Sequence, residues 1–282
     1  MILGRRTVAR PATVRGVGLH LGRACALHFF PAPPRTGIVF VRSDLAGAPR
    51  TLAHVRSAVL AERRTQLGEG EGALHTVEHV LAAVAALTID DLVISMDAPE
   101  PPIGDGSALP FLEALREAGV VEQAGEVRLC QLREPVHVTD GESTYAAYPD
   151  DRLWLDVRIA FPHPLIGEQR WTGEVTSATF ASELASARTF GFMHEVAALQ
   201  AKGLIQGASI ENAIVLDAEG LVGTTLRWPD EFVRHKAMDC VGDLALAGGR
   251  VRARIVADRP SHRGTVLLVK EMLRHADVVT AA

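Results

Sequence analysis

Strand-like and helix-like runs follow one another in two successive series along this chain, and that order most limits the folds it can adopt. From "TVARPATVRGVGLHLGRACALHFFPA" to about residue 60, apolar and polar residues alternate between Gly and Pro punctuation, which reads as short strands and turns. Residues 76 to 87 read as a helix, "DLVISMDAP" as a strand, and the breaker-rich "APEPPIGDGS" as its end. "ALPFLEALREAGV" then has helical spacing and a closing Gly119. From Val127 the pattern restarts, with at least three strand-like runs in "EVRLCQLREPVHVTDGESTYAAYPDDRLWLDVRIAFPHP". A helix-like run, "ASELASARTFGFMHEVAALQAKG", and a short apolar run, "NAIVLD", come next. "DEFVRHKAMDCVGDLALAG" is an amphipathic helix, "VRARIVADRP" a strand and "TVLLVKEMLRHA" a final helix. A domain boundary is expected near residues 122 to 127, giving units of 1–125 and 126–282. No sequence repeat links the halves, and no tract is of low complexity.

A chain of 282 residues can bury one large core or two ordinary ones. With 48% apolar and 22% charged residues it reads as a soluble globular protein. A formal net charge of -5, without a dense Lys/Arg block, gives no polyelectrolyte signal for nucleic acid. The longest apolar stretches, such as 80 to 87, are far short of a transmembrane segment. "MILGRRTVAR" turns charged at once and does not read as a signal peptide, so a cytoplasmic location is expected. The three cysteines, at 25, 130 and 240, form no CxxC pair and argue against a disulfide framework or a cysteine-rich zinc site. Any metal must be sought among the eleven histidines and the carboxylates.

Two clusters qualify. "HTVEH", residues 75 to 79, spells H-x-x-E-H, in which two histidines could bind a metal with the glutamate as base. The same five residues also suit a polar helix start, and the string alone leaves both readings open. The second cluster is "RHKAMDCVGD", residues 234 to 243. His235 and Asp239 stand four apart and Asp243 one turn further, so one helical face carries an imidazole and two carboxylates. Zinc accepts His nitrogen and Asp oxygen, and catalytic sites commonly use three protein ligands. An exposed helix with i,i+4 ion pairs is the alternative, but Asp243 sits among Val241, Leu244 and Leu246.

Six segments occur in an order that resembles the UDP-3-O-acyl-N-acetylglucosamine deacetylases, the zinc amidases of lipid A biosynthesis. They are "GVGLH" (16–20), "TVEHVLAAVAAL" (76–87), "MDAPEPPIGDGSA" (96–108), "ARTFGF" (187–192), "NAIV" (212–215) and "FVRHKAMDCVGDLAL" (232–246). The resemblance implies an α+β fold of two similar domains, each a small sheet layered with helices, with the active site between them. It implies Zn²⁺ held by His79, His235 and Asp239, with Glu78 as catalytic base and His75 not a ligand. Thr189 is implied to support the oxyanion, and His262 to act as a cationic acid held by Asp243. The substrate implied is an acylated UDP-amino sugar. Lys236 and Phe161 would meet its sugar-nucleotide part, with Leu19, Phe190 and Ser209 as further contacts. An apolar insert near 190–215, carrying Phe192, Met193, Val196, Ile205 and Val215, would take the acyl chain; ten buried methylenes would give about 8 kcal/mol gross. A core helix packed on a sheet would explain the same apolar spacing.

The chain departs from the family pattern at Arg64, where a small residue or cysteine is usual, at Leu21, where serine is usual, and after His262, where "RGTVLLVKEML" lacks asparagines. A divergent paralogue acting on another N-acetylated sugar nucleotide, a zinc peptidase built on "HTVEH", and a non-catalytic binding protein are the alternative readings. The oligomeric state stays open, a monomer being compatible with the sequence.

Overall fold

The run Val80–Leu87 offers no polar face to water, and the fold buries it. In the computed structural model, which describes residues 4–281, helix α1 spans Glu78–Ala86. Val80, Leu81, Ala82, Ala83, Val84 and Ala86 are all buried, as expected for a helix that is apolar all round. On one side stands a five-stranded sheet in the order Ala12–Val17, Ala24–Pro31, Leu92–Met96, Ile38–Arg42, Arg50–Leu52. Its Leu92–Met96 and Ile38–Arg42 run parallel, and the other neighbours antiparallel. Helix α2 (Leu109–Ala118) packs on α1 and ends at Gly119, whose φ of 75° suits a residue without a Cβ.

The second sheet is eight-stranded and centred on Arg250–Asp258. That strand lies parallel to Leu153–Phe161 and to the last residues of Val120–Leu132, and antiparallel to Ser143–Pro149. Val120–Leu132 pairs first with Gly4–Val8 and then with Ala276–Ala281, so the expected division at residues 125 and 126 falls inside one continuous strand. The fold is thus α+β, with sheets and helices in both halves.

The helix-like run 181–203 is not one helix. The short α3 (Ser177–Thr179) continues into a π-turn at Phe180–Leu184, Phe190–Phe192 is a strand, and α4 spans Met193–Ala201. Phe190 and Phe192 flank Gly191 with a period of two, and the segment satisfies its backbone by parallel pairing with Ile214–Leu216. None of the residues of α4 is buried, so it is not a core helix. Helix α5 (Glu231–Leu244) packs on α1 and on the second sheet, and α6 (His262–His275) packs on α5. No helix among the described residues is long and apolar enough to cross a membrane.

Candidate active site

Two helices far apart in the chain bring the site together. Gly242 on α5 faces α1 so closely that a Cβ there would run into the carbonyl of Glu78. This approach sets His79 of α1 against His235 and Asp239 of α5, all three buried. The Nε2 atoms of both histidines lie 3.5 Å from Asp239 Oδ1, and the rings stand perpendicular with centroids 5.2 Å apart. His235 Nδ1 lies 3.1 Å from the Ala187 carbonyl, which fixes the proton on Nδ1 and leaves the Nε2 lone pair facing Asp239. Burial pushes His235 down to about 4, favouring the neutral ring that ligates metal.

Asp239 Oδ1 is buried and has no hydrogen-bond partner. The three ligand atoms lie within 4.8 Å of one another. A separation of 3.5 Å is long for a hydrogen bond. It matches the spacing of about 3.4 Å expected between atoms held at about 2.1 Å by one tetrahedral ion. A carboxylate oxygen left without a donor, opposite two imidazole nitrogens, fits a divalent metal.

Around this triad the charges are ordered. Glu78 is buried beside His79, and Thr65 donates its backbone N–H to Oε2 at 2.9 Å. Burial raises the Glu78 carboxyl above its ordinary value. Glu78 Oε1 faces His262 Nε2 at 3.7 Å. His262 is the first residue of α6, which begins three residues earlier than its apolar spacing suggests because Ser261 accepts the Gly264 N–H at 3.0 Å. It is therefore a buried helix-start residue rather than an exposed loop histidine. Its Nδ1 lies 3.0 Å from Asp243 Oδ2. Burial opposes its charge, but Asp243, Glu78 and Asp239 outweigh that and lift it to about 9. Lys236 sits 2.9 Å from Asp239 Oδ2; burial works against its charge, yet the Asp239 carboxylate holds its pKa above the usual lysine value.

Two residues that tie the site together were not legible as such in the sequence. Thr65 also donates its hydroxyl to Asp243 Oδ1, so one residue braces both Glu78 and the partner of His262. Glu100, buried in the proline-rich loop, accepts the N–H groups of His20 and Leu21 at 2.9 and 2.8 Å and the Thr76 hydroxyl at 2.7 Å. Nothing in the spelling of "APEPP" distinguishes this glutamate from a solvated one. Thr76 takes a left-handed φ of 55°, and α1 starts only at Glu78. His75 therefore lies before the helix, bonded through its N–H to the Pro99 carbonyl, and does not share a helical face with His79. Near it, Arg64 Nε, His20 Nε2 and His75 Nδ1 are buried without hydrogen-bond partners. Burial, and then the Arg64 guanidinium, hold both histidines down at about 4.

The residues expected to meet substrate fall into two groups. Phe190 stands edge-on to His235 at 6.2 Å and to Phe161 at 5.6 Å, and Phe161 meets Phe192 at 5.8 Å, so these three rings form one cluster beside the triad. Leu19 accepts the Gly207 N–H at 3.0 Å, which joins its loop to the one carrying Ile205. Val196 and Val215 are half-buried, and Met193 is 44% exposed on α4. Ser209 is exposed, with its N–H on Asn212 Oδ1. Thr189 is fixed by its backbone to Gly106 and Ile214, and its hydroxyl makes no hydrogen bond among the described residues.

The family profile described as UDP-3-O-acyl N-acetylglycosamine deacetylase matches residues 5–274. A UDP-3-O-acyl-N-acetylglucosamine deacetylase of Bdellovibrio bacteriovorus is 40% identical over 269 residues, covering 95% of this chain and 89% of that protein. Proteins of the same name from Brucella melitensis and Brucella ovis are each 41% identical over 271 residues, covering 95% of both chains.

Proposed function

Because the chain belongs to the UDP-3-O-acyl N-acetylglycosamine deacetylase family, we propose that it hydrolyses the N-acetyl group of a UDP-3-O-acyl-N-acetylglucosamine, releasing acetate and a free amine for lipid A biosynthesis. The observation that carries this reading is the convergence of His79, His235 and Asp239 around the orphaned Asp239 Oδ1, with Glu78 and His262 on its border. We assign Zn²⁺ to these three ligands; when bound, it would supply a Lewis acid that acidifies water and polarises the amide carbonyl.

The chain's own groups divide the proton work. Glu78, anchored at Oε2 by Thr65, keeps Oε1 free to take a proton from the attacking water. Its buried, raised carboxyl is a stronger base than an exposed one. His262 enters as the cation: Asp243 holds Nδ1–H, so Nε2–H points to the shared space and donates to the departing nitrogen. Thr189 supports the carbonyl oxygen as negative charge grows. Phe161, Phe190 and Lys236 receive the sugar nucleotide, with Leu19 and Ser209 at its border. The acyl chain follows the apolar side chains of Phe192, Met193, Val196, Ile205 and Val215. None of the five is fully buried, which supports this assignment, since core positions would be. We divide the chain into domains at residues 125 and 126, within the shared strand. We also place the reaction in the cytoplasm, in keeping with three buried cysteines that remain free thiols.

Acetate release from the acylated sugar nucleotide, measured with metal content, tests the proposal. Glu78→Gln should lose at least about a hundredfold in kcat and keep its metal, whereas His79→Ala should lose both. Full activity in Glu78→Gln, or metal retained at wild-type affinity in His79→Ala, would refute these roles.

A further inference from the structure

The His262 ring is held at one nitrogen, and a ring held there alone can still pivot. Asp243 Oδ2 and, more distantly, Thr65 Oγ1 meet Nδ1 at 3.0 and 3.4 Å. Nε2 faces Glu78 Oε1 and Asp239 Oδ2 at 3.7 Å each, too far for a hydrogen bond. The aim of Nε2 therefore depends on where the backbone of α6 begins. Three residues lead into it. Arg259 takes a left-handed φ of 49°, a costly conformation for a residue with a Cβ. Its N–H donates to the Arg158 carbonyl at 2.7 Å, and its own carbonyl accepts the Ser143 hydroxyl at 2.6 Å. Ser261 is extended, with φ of -125° and ψ of 156°, so its N–H and C=O turn to the same side. Both meet one atom: Tyr145 Oη accepts the N–H at 2.8 Å and donates to the carbonyl at 3.1 Å.

Tyr145 is 3% exposed, and its strand is paired on both sides, with Val138 opposite it on one and Ala257 on the other. Gly264, in the first turn of α6, packs so closely on it that a Cβ there would run into the Tyr145 hydroxyl. A buried tyrosine commonly finds some partner for its hydroxyl. Here both partners belong to the residue that caps α6 and immediately precedes His262. We propose that Tyr145 is a positioning residue for the deacetylation: by gripping both backbone groups of Ser261 from a rigid sheet, it sets the start of α6 so that His262 Nε2 reaches the departing nitrogen. The inference rests on the deacetylase reading. In that step the C–N bond breaks, its electron pair stays with the nitrogen, and the nitrogen takes the Nε2 proton. Tyr145 acts through Ser261 and not on the substrate.

Tyr145→Phe keeps the ring and removes both bonds. In the metal-loaded, full-length protein, kcat for acetate release should fall at least about tenfold, part of what a well-placed acid contributes. KM and metal content should stay within about twofold of wild type. The loss should be at least about threefold smaller on an analogue with O-acetyl in place of N-acetyl, since an oxygen leaving group needs a proton donor less than nitrogen does. Hydrogen exchange of residues 259–266, read by mass spectrometry, should quicken in the variant. General damage to the fold would instead raise KM, shed metal or slow both substrates alike. Wild-type kcat in folded Tyr145→Phe, or equal losses on amide and ester, would overturn the inference. If that variant does not fold, Ser143→Ala, which frees only the Arg259 carbonyl, decides: the same pattern at smaller size supports the inference, and wild-type kcat overturns it. Acetate release by wild type is read separately. Its absence would sink the deacetylase reading, which a contrary result in the variants leaves standing.

Discussion

Replacing Gly242 by alanine separates two effects of opposite sign. Gly242 is an interior residue of α5, where alanine in place of glycine ordinarily favours a helix by about 1 kcal/mol. The structure predicts the reverse. A Cβ at this position would stand 2.8 Å from the carbonyl carbon and 3.1 Å from the Cα of Glu78, with the carbonyl oxygen closer still. Carbon atoms in good contact lie about 3.5–4.0 Å apart, so α1 and α5 must separate locally by at least about 0.7 Å. Overpacking of this kind costs about 1–3 kcal/mol. The same displacement carries His79 away from His235 and Asp239, while metal–ligand distances tolerate only about 0.2 Å. We expect the folded Gly242→Ala protein to unfold at lower temperature and to bind Zn²⁺ at least about tenfold more weakly in competition with a chromogenic chelator. A variant with raised thermal stability and wild-type zinc affinity would refute the argument that this close crossing sets the ligand spacing.

Three further outcomes follow from the same geometry. Asp243→Asn removes the carboxylate nearest His262, so the cation should persist only to lower pH and the high-pH limb of kcat/KM should move at least about one unit toward acid; an unmoved limb would show that Asp243 does not hold the proton. His20 and His75 stay neutral in the fold down to about 4 but protonate near 6.5 when unfolded, so stability should fall as pH drops through that window. Urea unfolding should show a smaller loss in His20→Gln than in wild type, and equal losses would count against the buried neutral ring. Arg188→Met leaves Glu231 buried without its guanidinium and should cost about 3–5 kcal/mol in urea unfolding, a loss below about 1 kcal/mol being the contrary result.

The parts of this molecule that follow a period were readable from the chain. α1, α2 and α5 lie where apolar spacing put them, and the alignment of His235, Asp239 and Asp243 on one face is a consequence of helical geometry. What spacing could not express is contact between distant segments. The break at Phe190–Phe192 depends on a partner strand at 214–216, and the early start of α6 depends on one serine cap. The bracing by Thr65 and Glu100 depends on which loops meet, which neither residue's neighbours in sequence reveal. The H-x-x-E-H string misleads for a related reason: a single left-handed residue, Thr76, detaches His75 from the helix that carries His79.

The split of the triad between α1 and α5 has a bearing on biogenesis. An emerging polypeptide displays His79 long before His235 and Asp239 have been synthesised, so an isolated N-terminal fragment offers only one of the three proposed ligands. Under the proposed ligand assignment, metal capture would be a late checkpoint, reporting that the two halves have docked. Its free energy would then add to their docking rather than to the folding of either alone.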